Sequence, residues 1–230
     1  MIKEFFDLLR KDSLLQQAYH RSLEMLKDDQ EMFLAATESL REHDDARIDI
    51  DIYAKDQLIN AYEREVRRKV FTHLAVSGDA NLQASLVLVS IVIDIERIGD
   101  LTKNIVDLAL QHPGKLECGT FEADVRKIET TVQTMFSLLI EALPATDVDK
   151  AKEVMSEHWW IARRSDEILN ALIARSDKDL VCQEAVSTAL YVRFLKRISA
   201  HLMNIASSIV NPFDRIGFRE YVGKREDKEG

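Results

Sequence analysis

Glu96 and Asp100 stand four residues apart in the stretch Ile93-Asp94-Ile95-Glu96-Arg97-Ile98-Gly99-Asp100-Leu101-Thr102-Lys103-Asn104-Ile105. On a helix that spacing puts both carboxylates on one face, where like charges cost stability unless something compensates. A bound cation would do so, and so would an arginine from another helix or exposure to water. Upstream, Asp56, Asn60 and Glu63 follow the same rhythm of four and three. If the two segments are antiparallel helices joined at Gly78, Asp56 and Asp100 each lie 22 residues from the turn, roughly 33 Å along the axis. Asn60 and Glu96 pair in the same way at 18 residues each. Four oxygen-bearing side chains, Asp56, Asn60, Glu96 and Asp100, then converge on one patch, and hard oxygen ligands suit a divalent metal. Acids four apart on a helix also commonly form a solvated face, and that reading stands beside the metal one.

The corresponding levels of the second half carry His158, Ala162, Lys196 and Ala200. Alanine cannot ligate a metal, so a site of this kind belongs to the first half only. The Lys196 ammonium is a candidate for the place a cation would take beside His158. No G-x-S-x-G elbow, Walker A loop, H-E-x-x-H or helical Glu-x-x-His is present, so neither a nucleophilic nor a di-iron constellation is expected. An enzyme working through a metal-bound water would need an open coordination position and a pocket, and the sequence points to neither.

The elements that must position these residues are helical. Seven glycines and three prolines in 230 residues leave few tight turns, and the good helix formers dominate the rest. Apolar residues at helical spacing from Phe5 to Leu40 predict a first helix, interrupted near Asp28 and Asp29. A second is expected from about Asp51 to Val76, closed by Gly78, and a third from an Asp79 cap to Gln111, ended by His112-Pro113-Gly114. A fourth follows from Phe121 to Leu143 with a break at Pro144, a fifth from Asp147 to Arg175, and a sixth from Asp179 to Val210. Shifting the chain on itself by 100 residues matches Val92, Arg97, Ile98, Asn104 and Ile105 to Val192, Arg197, Ile198, Asn204 and Ile205. Five identities in fourteen positions indicate duplication. The expected architecture is all-α, two tandem three-helix bundles over 1–114 and 115–213, with a charged, disordered tail over 214–230. Gly99 inside the third helix reads as a close-packing position, matched by the small Ser199. Of Trp159 and Trp160, which point apart on a helix, at most one belongs to the core.

Bulk properties narrow the function. The chain is long enough to bury a core without staples. Cys118 and Cys182 form no C-x-x-C pair, and no secretory leader opens the sequence, so a cytoplasmic setting is expected. The longest apolar stretch, Ala84 to Ile93, contains two serines and falls short of a membrane span. A net charge of −9 disfavours nucleic acid. The basic run Arg64, Arg67, Arg68 and Lys69 is interleaved with Glu63 and Glu65 and reads as a solvated face rather than a dock for an acidic partner. Amphipathic helices with exposed apolar residues make a homodimer a reasonable expectation.

The string Asp94-Ile95-Glu96-Arg97-Ile98-Gly99-Asp100 followed by Asn104-Ile105 resembles the L-E-R-I-G-D plus N-I signature of the PhoU family, and Asn81-Leu82-Gln83 sits where that family has D-L-R. Asp56 to Glu63 resembles the family's second-helix acidic motif. The resemblance covers most of the chain. It implies two similar three-helix bundles side by side, and a regulator of phosphate uptake that restrains the phosphate-starvation response. As a non-enzymatic adaptor it would link the ATPase of a phosphate ABC transporter to a membrane sensor kinase, meeting the membrane only through those partners. It also implies iron or zinc on paired E/D-x-x-x-D motifs. Here Glu96 and Asp100 match one motif, while Asp56-x-x-x-Asn60 matches the other with an amide in place of its second carboxylate. Lys196 and Ala200 depart from the motif in the second repeat, which restricts any metal to the first. A divergent member that keeps the scaffold is the result, and a metal-binding module whose acidic patch is itself the function is the alternative.

Overall fold

The computed structural model describes residues 13–78, 81–112 and 114–220. They form six long helices, α1 Leu14–Glu42, α2 Ile52–Ser77, α3 Leu82–Gln111, α4 Glu122–Ala145, α5 Val148–Ile173 and α6 Cys182–Val210, with 3-10 turns at Gly119–Phe121 and Phe213–Arg215. The all-α class and its element order are those expected, and no strand occurs among the described residues.

Side chains set three of the six helix starts. Ser13 accepts the amide of Gln16, Asp51 that of Ala54, and Asp147 those of Asp149 and Lys150, each satisfying donors that an α-helix leaves open in its first turn. Gly78 ends α2 at φ 65°, a conformation that a Cβ would resist.

Several boundaries differ from the sequence reading. The apolar positions before residue 13 and the Asp79 cap lie outside the described residues. α1 runs unbroken through Asp28 and Asp29. Pro144 sits inside the last turn of α4 rather than breaking it. So near a C-terminus its missing N–H costs one bond, and left-handed Thr146 then turns the chain so that Asp147 N reaches Ala142 O at 3.0 Å. α6 begins at Cys182 instead of Asp179, because the Asp177 carboxylate holds the amides of Asp179 and Leu180 in a turn. Residues 214–220, expected in a disordered tail, fold back. The Asn211 amide donates to the carbonyls of Arg215, Phe218 and Arg219, and Arg219 lies over the Trp159 ring at 4.4 Å. Residues 221–230 lie outside the described part.

Helices α1, α2 and α3 pack on one another, as do α4, α5 and α6, and the two units meet through α3 on α6 and α1 on α4. The first seam is antiparallel, since Asp94 of α3 meets His201 and Asn204 of α6 while His112, just past α3, lies 3.3 Å from Glu184 near the start of α6. At the second seam the rings of Phe33 and Phe136 stand 5.4 Å apart. One continuous apolar core runs through both units, and burying it supplies most of the folding free energy.

Arg41 ties the two units together at the end of α1. It is 2% exposed, and its guanidinium donates to Glu129 Oε1 at 2.8 Å, to a Glu122 carboxylate oxygen and to the Leu116 carbonyl. Leu116 N in turn donates to Leu40 O at 3.0 Å, which docks the connecting segment onto α1.

The two tryptophans divide as their spacing requires. Trp159 is 39% exposed under Arg219, and the half-buried Trp160 packs on the core with Lys127 over its ring at 4.5 Å.

Candidate functional site

The hairpin geometry reasoned from Gly78 is the observed one. Lys103 Nζ spans the gap between α2 and α3, 2.9 Å from Asp56 Oδ2 and 3.1 Å from Asp100 Oδ1, so Asp56 and Asp100 are level. Asn60 donates Nδ2 to the Asp56 carbonyl at 3.0 Å and lies 3.5 Å from Asp56 Oδ2. Glu96 Oε2 lies 3.5 Å from Arg97 Nε, and the same guanidinium reaches Asp100 Oδ2 at 3.3 Å. Partial burial, with Asp100 close by, raises the Glu96 carboxyl above the usual range. Burial alone would lower the Lys103 ammonium, but its bonds to Asp56 and Asp100 outweigh that and hold it above the ordinary lysine value.

A third helix contributes a residue that the sequence reading took for a helix break. Asp29 of α1 is fully buried, and neither carboxyl oxygen has a hydrogen-bond partner among the described residues. Burial first, then Asp28, Glu96 and Asp56, push its carboxyl well above the usual range. Gly99 makes room for it: a Cβ there would stand 2.9 Å from Asp29 Oδ1 and 3.4 Å from Ile59 Cδ1. Gly99 is therefore the close-packing position it was taken for. Gly99→Val is expected to cost about 1–3 kcal/mol through overpacking, measured by urea denaturation. A variant as stable as the wild type would disprove the tight crossing of α1, α2 and α3.

Every other acid around the patch is paired within the protein. Asp28 and Glu31 share Lys55 at 2.8 and 2.9 Å, and Glu63 takes Arg67 at 2.7 Å. Lys69 pairs with Glu65 at 2.8 Å, so Arg67 and Lys69 of the basic run lie in ion pairs along α2, as a solvated face predicts. A divalent cation bound by this fold would need several oxygens directed at one point. Among the described residues no three His, Cys, Asp or Glu side chains gather in that way, Lys103 stands between two of the expected ligands, and Asn60 turns its amide nitrogen toward Asp56. This arrangement of donors does not fit a divalent metal.

Lys103 and Asp29 were missed, although the sequence carried their signals. Lys103 is three residues from Asp100 on the same face, and Asp29 falls on the apolar stripe of Met25, Leu26, Met32, Phe33 and Ala36.

At the equivalent level of the second unit His158 and Ser199 are buried. His158 is 6% exposed, and its Nδ1 lies 3.0 Å from Ser199 Oγ. The Ser199 hydroxyl gives its one proton to the Lys196 carbonyl at 2.8 Å, so Nδ1–H of the imidazole is the donor to Ser199. Lys196 directs its ammonium to Asp166 at 2.6 Å, eight residues along α5 from His158, and does not take a cation's place beside the imidazole. Burial, aided by the Lys196 charge, pushes His158 down to about 4.

Comparison with known proteins agrees with this architecture. The family model described as the PhoU domain matches residues 22–109 and 125–209. A phosphate-specific transport system accessory protein PhoU homolog of Pseudomonas aeruginosa is 29% identical over 161 residues, 67% of this chain and 65% of that protein. The chain thus aligns with a little under two thirds of that relative's length. A homolog of the same description from Caulobacter vibrioides is 24% identical, over 69% of this chain and 70% of its own. Among solved structures, PhoU from Pseudomonas aeruginosa superposes with a TM-score of 0.73 at 24% identity, covering 86% of this chain and 95% of that one. The phosphate transport system regulatory protein PhoU from Streptococcus pneumoniae gives 0.70 at 19%, covering 89% and 95%. The matched stretches fall one in each three-helix unit and together take in more than half of the sequence, so the chain belongs to the PhoU family.

Proposed function

We propose that this protein is a regulatory accessory of phosphate uptake. It acts in the cytoplasm as a non-enzymatic adaptor that links the ATPase of a phosphate ABC transporter to a membrane sensor kinase and restrains the phosphate-starvation response. The observation that carries this reading is the match of the PhoU domain across both units, together with relatives whose names make them accessory proteins of a phosphate-specific transport system. No helix among the described residues is long and apolar enough to cross a membrane, which accords with a role exerted through membrane partners.

Surface chemistry supports an adaptor. Val186 and Leu190 are exposed one turn apart on α6, and Arg193 and Arg197 continue the same stripe, exposed and without an ion pair among the described residues. An apolar and basic stripe on a chain of net charge −9 is suited to an acidic, partly apolar protein surface. Homodimerisation belongs to the same proposal and is read by sedimentation.

The test uses the purified chain against the transporter ATPase and the kinase cytoplasmic region encoded in the same genome, followed by biolayer interferometry. Binding to at least one is expected, weakened about tenfold or more by Leu190→Asp with Arg193→Glu. Deleting the gene is expected to release starvation-gene expression in phosphate-replete medium. Absence of binding to both partners, with an unaltered reporter, would reject the adaptor.

A further inference from the structure

We propose that Lys103 is the built-in counter-cation of the first unit, its ammonium standing where a divalent ion would otherwise bridge α2 and α3, so that the bundle closes without metal. The inference goes beyond the adaptor reading and does not depend on it.

Position is the first argument. Lys103 Nζ lies 2.9 Å from Asp56 Oδ2 and 3.1 Å from Asp100 Oδ1, joining the two helices whose oxygens a metal would have to join. Its side chain is 25% exposed and that of Asp56 12%, so the pair is partly withdrawn from water and screened less than a surface pair.

Internal ion pairing is the second. Around the patch, Asp28, Glu31, Asp56, Glu63, Glu96 and Asp100 each have a lysine or arginine nitrogen within 3.5 Å. The fully buried Asp29 is the exception. A divalent ion added to this set would have to displace an ammonium already held by two carboxylates, and the ion pairs would be lost in exchange for coordination.

The third argument is the donor set. One of the four expected ligands is an amide, Asn60, whose Nδ2 is committed to the Asp56 carbonyl at 3.0 Å. Its oxygen supplies no charge to offset a 2+ ion. An amide at Asn60 and an ammonium at Lys103 act on the patch in the same direction, away from a metal and toward internal ion pairing.

The experiment combines elemental analysis of the purified full chain with thermal unfolding in Mn2+ or Zn2+, for the wild type, Lys103→Ala and Lys103→Gln. Metal-free wild type whose midpoint neither ion raises is expected. Both variants are expected to unfold at lower temperature than the wild type without metal, and to recover in a saturable, concentration-dependent way when either ion is added. Lys103→Gln keeps a hydrogen-bond donor and so guards against a variant that fails to fold. Two results would overturn the proposal. One is stoichiometric iron or zinc in the wild type that disappears in Glu96→Ala, Asp100→Ala. The other is a metal-free wild type whose lysine variants fold but gain no response to either ion, since removing the ammonium would then have uncovered no cation position. Neither result touches partner binding, so this inference and the adaptor fail separately.

Discussion

Arg41→Ala is expected to lower the folding free energy by about 3–5 kcal/mol, the cost of removing one member of a buried ion pair. The side chain is almost wholly buried, and Glu129 opposite it is 3% exposed. Burial already raises the Glu129 carboxyl above its usual range despite the pull of Arg41. Truncation would leave that buried carboxyl to the more distant Arg126 at 3.8 Å, the Leu116 carbonyl without the guanidinium, and Glu122 to Arg126. The Arg41→Met, Glu129→Leu pair is expected to recover most of the loss, because apolar groups of similar volume avoid the desolvation that the ions incur. Urea unfolding of the two single variants and the double variant measures the coupling directly. A single-variant loss below about 1 kcal/mol, the range of exposed pairs, would show that Arg41 does not hold the two units together.

The second large effect is acid lability from His158. Its folded value of about 4 lies below the 6.5 of a free imidazole, so on acidification the unfolded chain takes up a proton before the native state does. The stability this contributes is complete above pH 6.5 and is lost as the pH falls from 6.5 to 4. It amounts to roughly 3 kcal/mol at 1.36 kcal/mol for each pKa unit. The carboxyls of Glu65, Glu122, Asp124 and Asp177, which are held low, add their losses lower in pH. The raised carboxyls of Glu129 and Glu96 act in the opposite sense. The measurement is therefore the difference between wild type and His158→Gln across pH 4–7, where the variant is expected to lack the imidazole's share of the slope. Parallel curves would mean that the buried imidazole accepts its proton without penalty.

How far the site could be read from the sequence follows from which interactions are periodic. Counting from Gly78 placed Asp56 level with Asp100, because α2 and α3 are long and only four residues separate them in sequence. The duplication was legible because the central helices α3 and α6 keep identical residues at matched positions. Compensation of charge was harder to foresee. The sequence reading allowed a cation, an arginine from another helix or water, whereas the observed partners, Lys103 and Arg97, come from α3 itself. The stretch near Asp28 and Asp29 reads as an interruption of the first helix, and only the third dimension reveals that Gly99 leaves Asp29 a niche. The early start assigned to α6 failed for a local reason, the Asp177 turn, which competes with the helix for the same amides. Arg41 left no trace in the periodicity. Its partners, Leu116, Glu122 and Glu129, are 75 to 88 residues away in sequence.

The antiparallel seam between α3 and α6 also bears on how the protein is made. α3 ends at Gln111 and α6 at Val210, so about 100 residues are synthesised after the first unit is complete and before its partner helix is, roughly 5–20 s at bacterial or eukaryotic elongation rates. Throughout that interval the face of α3 destined for α6 is uncovered while the first unit emerges from the ribosome. Asp94 lies on that face, and its eventual partners, His201 and Asn204, are in the final helix. A charged side chain on the waiting surface makes it a poorer template for premature association with other nascent chains than an unbroken apolar stripe would be.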